Sequence, residues 1–181
     1  MKHDCIESIR ERRSIRRMSA QDIEPEKLQE ILTAASWAPS WGNSQCWEIV
    51  VVRDEKMKRQ LSEILSPKNP ATRTVANAPV VLAICGQVHK SGWYNGRQVT
   101  RYEDWLMYDL GIVSQTICLA ACSAGLGSVI VGAFDHARAE EYLKIPSGYA
   151  LVSLIPLGYL VFALSRPPRR AKADFVHFEQ F

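Results

Sequence analysis

Residues 101–123 place the tightest constraint on the fold. Apolar side chains recur there at helical spacing, at Leu106, Leu110, Val113, Ile117, Ala120 and Ala121. The pattern predicts one long helix, which at about 1.5 Å per residue would span roughly 35 Å. Because small and apolar residues leave it little polar surface, this helix must lie in the centre of a core or in a contact between subunits. Gly125 is expected to end it.

The other regular segments are shorter. Runs rich in β-branched residues predict four strands, at 47–52, 79–85, 127–132 and 150–157. Further helices are predicted over 4–12, from Pro25 to about Pro39, from Asp54 to about Leu65, and for about ten residues after Asp135. Residues 66–78 are predicted as loop, and 87–100 as a mobile loop. Helices come first and strands then mix with helices, which indicates an α+β fold rather than regular βαβ winding.

The composition is that of one globular domain spanning residues 1–181. Hydrophobic residues make up 47% of the sequence and charged residues 23%, and no repeat, low-complexity segment or linker divides it. The longest apolar run, 149–164, is interrupted by Pro156 and Gly158 and is short for a membrane span. Acidic residues interrupt the Arg-rich N-terminal stretch, which argues against a targeting peptide. We therefore expect a soluble cytoplasmic protein that has no membrane partner.

Several common kinds of active site are not indicated. The five cysteines show no C-x-x-C spacing, so buried reduced thiols are expected. The four histidines are scattered and lack the spacing typical of metal ligands. No G-x-S-x-G, H-E-x-x-H or P-loop pattern occurs. The sequence predicts no metal site and no protein nucleophile.

The first of three polar constellations is basic and lies at residues 12–16, which read R-R-S-I-R. Guanidinium groups match phosphate oxygens with paired donors, and a hydroxyl beside them adds another. Since the net charge is only +3, local anion binding is favoured over a broad basic face. The segment indicates a phosphate site, and a solvated helix end is the alternative interpretation.

The other two constellations are a polar loop and a glycine-containing turn. Residues 38–47 join a helix to a strand and carry the polar side chains Ser40, Asn43 and Gln45. In residues 125–135, Gly132 and Ala133 leave the backbone open to close approach by a planar ligand. An ordinary polar turn and a strand that ends in a helix cap are the simpler interpretations of these two segments.

Together the segments resemble the nitroreductase family of FMN enzymes. Five family patterns occur in order, from about residue 5 to residue 172. R-R-S-x-R matches residues 12–16, A-P-S-x-x-N-x-Q-P-W matches 38–47, and A-P-v-v-i matches 78–82. G-L-G-s-x-x-x-G-x-F matches 125–134, and a late G-Y followed by a basic pair matches Gly158-Tyr159 and then Arg169-Arg170.

The resemblance implies an FMN site built from these segments, with the polar loop supplied by the other subunit. The residues implied for the phosphate and ribityl chain are Arg12, Arg13, Ser14 and Arg16, completed by Arg169 or Arg170. Those implied for the ring are Pro39, Ser40, Asn43, Gln45 and Asn69, with the backbone of Val131, Gly132 and Ala133. The chain departs from the family at Cys46, where Pro is usual, and at Trp41, where a small residue is common. Residues 87–100 are also shorter than in larger members, which often carry there an extra helical excursion that shapes the substrate pocket.

The same resemblance implies the fold and the activity. The fold would be a sandwich with a central mixed sheet flanked by helices, in a homodimer whose C-terminal tails, about residues 165–181, pack on the partner subunit. NADH or NADPH would reduce the flavin, and a small acceptor such as a nitroaromatic or a quinone would then reoxidise it in a ping-pong scheme. Flavin N5 would carry the chemistry, so no catalytic side chain is assigned.

Three alternatives stay open. A specialised flavoenzyme of the same family would dehalogenate, break down flavin or oxidise azolines. A flavin-binding or storage protein would be yellow but have little turnover. A small nucleic-acid-binding module would use Arg10 to Arg17, bind polyanions with steep salt dependence and be colourless.

Overall fold

A computed structural model describes residues 5–162 and 165–181 of the chain. The helices are α1 (Cys5–Glu11), α2 (Pro25–Ser36), α3 (Glu55–Glu63), α4 (Thr72–Asn77), α5 (Leu106–Ser123) and α6 (His136–Leu143). The strands are β1 (Trp47–Val52), β2 (Val80–Gln87), β3 (Trp93–Tyr94), β4 (Arg97–Gln98), β5 (Leu126–Ser128) and β6 (Tyr149–Tyr159). Short 3₁₀ turns lie at Trp41–Asn43 and Lys172–Asp174.

Four strands form the main sheet in the order β1-β2-β6-β5, and every neighbouring pair is antiparallel. A parallel contact is added at one edge, where Ser14 bridges Ser128 of β5. β3 and β4 form a separate two-stranded hairpin. The arrangement confirms the α+β class predicted from the order of the segments.

Helices cover both faces of this sheet, because successive side chains of a strand point to opposite sides. Val80, Leu82 and Ile84 of β2 belong to one apolar cluster, together with residues of α2 and α5. The alternate residues Val81 and Ala83 belong to a second cluster, together with residues of α3, α4 and α6. The two clusters make a three-layer sandwich with β2 and β6 in its middle.

Helix α5 is the long helix predicted from the apolar spacing, although it begins five residues later than expected. The Asp104 carboxylate accepts the Leu106 amide at 2.8 Å and the His89 amide at 2.6 Å. These bonds tie the helix start to residues 87–100, the hairpin segment that contains β3 and β4. α5 has the length and composition of a membrane span. Its Leu110, Val113 and Ile117 side chains are buried against the sheet, so a core helix accounts for its apolar character.

Most predicted boundaries agree with the structure. β1 spans the predicted residues 47–52, and Gly125 follows α5 with a φ of 77°. Asp54 accepts the Met57 amide at 2.7 Å, and Asp135 accepts the Arg138 amide at 3.1 Å, so both predicted helix caps are confirmed.

Three predictions about chain segments were wrong. Residues 66–78, predicted as loop, contain α4, because burying Val75 against α3 outweighs the poor helix propensity of Thr and Asn. The predicted strand 127–132 ends at Ser128, and beyond it only Val131 bridges β6. Residues 87–100 contain the β3–β4 hairpin, whose turn residues Asn95 and Gly96 have φ values of 49° and 71°. Asn-Gly is a strong signal for this kind of turn.

Candidate functional site

The basic segment 12–16 is held beside the edge strand β5. The Ile15 amide donates to the Ser128 carbonyl at 2.9 Å, and the Ile15 side chain is buried in the fold. Ser14 and Arg16, on either side of it, line a cavity of about 400 Å³ together with Arg17 and Phe162. The cavity therefore combines a hydroxyl with guanidinium groups, which is a donor set suited to a phosphate.

Arg12 and Arg13 do not share that cavity. They line a neighbouring cleft with Cys122 and Gly125, while Arg13 also lines a third cleft with Arg10, Arg166 and Arg169. Arg13 Nη1 donates to the carbonyls of Arg10 and Arg12, at 2.6 and 2.7 Å. Its buried Nε has no hydrogen-bond partner in the described part of the chain. A buried donor of this kind can accommodate an incoming anion.

The two C-terminal arginines are placed differently from each other. Arg169 lies in the cleft with Arg13, which is separate from the cavity that Ser14 and Arg16 line. Arg170 instead donates to the Asp174 carbonyl and lies over the Phe175 ring, 5.8 Å from its centroid. Within one chain the structure therefore does not bring Arg170 to the other basic residues of the predicted site.

Asn69 and Ala133 are brought together. Asn69 Nδ2 donates to the Ala133 carbonyl at 3.3 Å, and the Ser66 amide donates to the same oxygen at 3.0 Å. Val131 exchanges two backbone hydrogen bonds of 2.9 Å with Leu154 of β6. Asn69, which the resemblance implies for the ring, therefore lies beside the Val131–Ala133 turn.

Gly132 of that turn opens on a cleft between α5 and β6. The cleft has a volume of about 480 Å³, and its other lining residues are Met107, Leu110, Gly111, Ser114, Ile130, His136, Leu151, Val152 and Ser153. A Cβ atom at Gly132 would meet only the Val152 carbonyl, at 3.9 Å. The mostly apolar walls and the exposed glycine backbone suit a flat ring that needs a few polar contacts at its edge.

The polar loop at Pro39–Gln45 has an unusual backbone. Gly42, Asn43 and Gln45 have φ values of 53°, 54° and 45°, in the left-handed region that non-glycine residues rarely adopt. Within the loop, the Gln45 amide donates to Ser40 Oγ at 2.9 Å. The side chains of Asn43 and Gln45 are exposed, so they are available to contact a ligand.

A residue that the sequence interpretation missed holds this loop. Asp109, in the first turn of α5, is fully buried and accepts hydrogen bonds from the Trp41 amide and from Ser44 Oγ. The signal available in the sequence was a single carboxylate on the otherwise apolar face of the predicted helix. Because α5 lies in the centre of the fold, this face places the Asp109 carboxylate in the core.

The polar loop and the basic segment lie near opposite ends of α5. The loop is attached to Asp109 in the first turn, whereas Arg12 and Arg13 line a cleft with Cys122 in the last turn. At 1.5 Å per residue the helix rises about 20 Å between Asp109 and Cys122. One chain therefore does not place its own loop at its own basic segment.

All five cysteines are free thiols. Burial and the nearby Asp109 carboxylate raise the pKa of Cys46 to about 11, and burial raises the pKa of Cys85 to about 12. Burial also raises the pKa of Cys118. Within residues 5–162 and 165–181, no group of three His, Cys, Asp or Glu side chains is arranged to hold a metal ion.

Comparison with known proteins agrees with this fold and these segments. A sequence profile described as the nitroreductase family matches residues 9–77 and 66–159. A putative NADH dehydrogenase/NAD(P)H nitroreductase of Archaeoglobus fulgidus is 32% identical over 160 residues, which cover 86% of this chain and 85% of the relative.

Two solved structures from Vibrio are similar over almost the whole chain. Nitroreductase A of Vibrio parahaemolyticus has a TM-score of 0.85 and 30% identity, covering 98% of this chain and 76% of the other. The NADPH:FMN oxidoreductase of Vibrio harveyi, solved with NAD⁺, has a TM-score of 0.83 and 30% identity, covering 98% and 77%.

An antiparallel sheet between two helical layers, with a basic segment beside its edge strand, defines an α+β protein of the nitroreductase fold. The chain belongs to the nitroreductase family, a family of oxidoreductases.

Proposed function

We propose that the protein is an FMN-dependent oxidoreductase that takes hydride from NADH or NADPH and passes it to a small organic acceptor such as a nitroaromatic or a quinone. One observation carries the proposal: α4 and the residues before it connect the two halves of the predicted cofactor site. Thr74 Oγ1 donates to the Arg16 carbonyl at 2.7 Å, and Asn69 Nδ2 donates to the Ala133 carbonyl at 3.3 Å. The basic segment and the glycine-containing turn are thereby fixed relative to each other.

The names of the similar proteins support the cofactor and the donor. The Vibrio harveyi relative is an NADPH:FMN oxidoreductase, and the Archaeoglobus relative is called an NAD(P)H nitroreductase. In this chain the donor set fits FMN, since the cavity beside Ser14 and Arg16 and the buried Arg13 Nε both offer N–H or O–H groups to a phosphate.

The flavin would supply the hydride chemistry when bound, and the protein would supply binding and orientation. Ser14 and Arg16 would hold the phosphate, with Arg12, Arg13 and Arg169 adding positive charge. Asn69 and the backbone of residues 131–133 would contact the edge of the ring. The apolar cleft would hold the ring and exclude water, and the donor and the acceptor would bind against the ring in turn. We assign no side chain as a general acid or base.

We further propose that two chains form a dimer in which each polar loop completes the partner's site. The distance of about 20 Å along α5 separates the loop from the basic segment of its own chain. Met107 and Tyr108 of α5 are 65% and 63% exposed, so part of this helix presents apolar surface to a partner. The tail 165–181 would also pack on the partner, because Phe175, Phe178 and Phe181 are exposed on their own chain.

An absorption spectrum of the purified protein tests the proposal. The spectrum is repeated after FMN is added, and again after NADH or NADPH is added under nitrogen. Flavin bands that bleach with one nicotinamide support the enzyme and identify its donor. Bound flavin that no nicotinamide reduces would favour a storage protein or a specialised flavoenzyme, and failure to bind FMN would exclude the proposal.

A further inference from the structure

Asp109 is a buried carboxylate to which the scheme above gives no role. It is 0% exposed and accepts hydrogen bonds from several donors. The donors are the Trp41 amide at 3.0 and 3.2 Å, Ser91 Oγ at 2.6 Å, Ser44 Oγ at 3.3 Å and Cys46 Sγ at 3.7 Å. Burial of a carboxylate is costly unless its oxygens are hydrogen-bonded, so these donors account for its presence in the core.

Two of these donors, the Trp41 amide and the Ser44 hydroxyl, lie on either side of the left-handed part of the polar loop. Trp41 and Ser44 flank Gly42 and Asn43, whose backbones are both in the left-handed region. Such conformations persist in non-glycine residues only where the surroundings enforce them. Asp109 provides that enforcement for Asn43, because it holds the chain immediately before Gly42 and immediately after Asn43.

Another donor, the Ser91 hydroxyl, ties the polar loop to the hairpin segment. Ser91 is 0% exposed, and its hydroxyl donates to the same Asp109 oxygen that Ser44 contacts. Lys90 next to it donates to the Gln45 carbonyl at 3.4 Å. One carboxylate oxygen therefore joins the polar loop to the segment that leads into β3 and β4.

Cys46 makes this arrangement particular to the chain. The family pattern usually has Pro at this position, which has neither a thiol nor a backbone N–H. Here the thiol contacts Asp109 Oδ2 at 3.7 Å, and the Cys46 carbonyl accepts the Gln87 amide at 2.8 Å. Cys46 therefore links the end of the loop both to Asp109 and to the end of β2.

We propose that Asp109 is a positioning residue, which acts through the polar loop to hold Asn43 and Gln45 where they contact the flavin of the partner subunit. The inference rests on the proposed function. Asp109 does not touch the ligand itself. Replacing it with Asn converts one acceptor into a donor that faces other donors, so the loop loses part of its support while the side chain keeps its size.

A double-mutant cycle on FMN affinity tests this role. Asp109→Asn and Asn43→Ala are each expected to raise the FMN dissociation constant about tenfold. If Asp109 acts through the loop, the double variant should bind FMN only slightly more weakly than whichever single variant has the higher dissociation constant. Independent effects would instead multiply to about a hundredfold loss, and that result would overturn the proposal.

Asp104→Asn is the matched control. Asp104 also accepts hydrogen bonds from the hairpin segment and from the start of α5, but no hydrogen bond joins it to residues 39–46. Its effect on FMN affinity should be small and should multiply with that of Asn43→Ala. Coupling of Asp104→Asn to Asn43→Ala as strong as that of Asp109→Asn would reduce Asp109 to a general stabiliser of the helix start and overturn the proposal.

The smaller substitution Ser44→Ala keeps the test decisive if Asp109→Asn does not fold. It removes one loop donor and should weaken FMN binding severalfold, again without multiplying with Asn43→Ala. If the wild-type protein binds and reduces FMN but folded Ser44→Ala binds FMN with unchanged affinity, this inference alone would be overturned. A wild-type protein that does not bind FMN would overturn the proposed function and this inference together.

Discussion

Gly127 of β5 lies directly against the side chain of Ile15. A Cβ atom at Gly127 would come within 2.9 Å of three carbon atoms of Ile15, including its Cβ. The contact allows the basic segment to approach the strand closely enough for the Ile15 amide to reach the Ser128 carbonyl. The absence of a side chain at one position thus places Ser14 and Arg16 at the edge of the sheet.

Gly127→Ala is expected to lower the free energy of unfolding by about 1–3 kcal/mol, because a β-branched neighbour cannot move aside easily. It should also weaken FMN binding through displacement of the basic segment. Urea denaturation and flavin titration measure the two effects. Ile15→Ala removes two of the three contacting carbons, Cγ1 and Cγ2, and leaves the Cβ contact. The double variant Gly127→Ala/Ile15→Ala should therefore lose less stability than the sum of the two single losses, and purely additive losses would contradict the steric explanation.

Arg16→Ala is expected to weaken FMN binding about tenfold or more, because a charge-assisted hydrogen bond to phosphate is lost. Riboflavin, which lacks the phosphate, should bind the variant and the wild type equally. Arg53→Ala is a suitable control, since Arg53 forms its ion pair with Asp22 elsewhere on the surface. Equal losses for FMN and riboflavin would show that Arg16 does not bind the phosphate.

Mixed dimers test whether the polar loop crosses to the partner subunit. Asn43→Ala and Arg16→Ala homodimers each have two weakened sites. In a dimer with one chain of each kind, a site shared between subunits leaves one site with both natural residues and one with neither. Dimers isolated with two affinity tags should therefore bind about one FMN with wild-type affinity. A site contained within one chain would leave no such high-affinity site.

The thiols are expected to react in an order set by burial. At pH 8 a thiol reagent should modify the exposed Cys5 rapidly, whereas Cys46 and Cys85 stay protonated because their pKa values are about 11 and about 12. Unfolding in denaturant should release all five thiols. The fast phase should disappear in Cys5→Ser. Rapid modification of Cys46 in the folded protein would contradict its burial beside Asp109.

The same pKa values predict how stability changes at alkaline pH. The ordinary pKa of these thiols is 9.0, and in the folded chain it is raised. Above about pH 9 the unfolded chain therefore releases protons that the folded chain keeps, so this contribution to stability declines as the pH rises further. Urea midpoints measured between pH 8 and pH 11 should fall, and less so in Cys85→Ala than in the wild type relative to their own values at pH 8.

Sequence patterns predicted the features that depend on local contacts. The β-branched run at 47–52 is β1, and Asp54 and Asp135 cap helices as their positions indicated. The apolar spacing of α5 also predicted which of its residues enter the core. Such features depend on residues a few positions apart, so their signals can be detected within short windows of the chain.

Contacts between distant residues decided the rest. α4 forms because Val75 is buried by α3, and the polar loop keeps its backbone conformation because Asp109, more than sixty residues away, accepts its hydrogen bonds. The motifs showed which residues could bind a phosphate or a ring, but not that α5 separates them by about 20 Å in one chain. The sequence by itself determined the larger helices, the strands β1, β2 and β6, and the chemical character of each segment. Only the tertiary structure decided which segments meet, because that depends on long-range packing around α5 and the sheet.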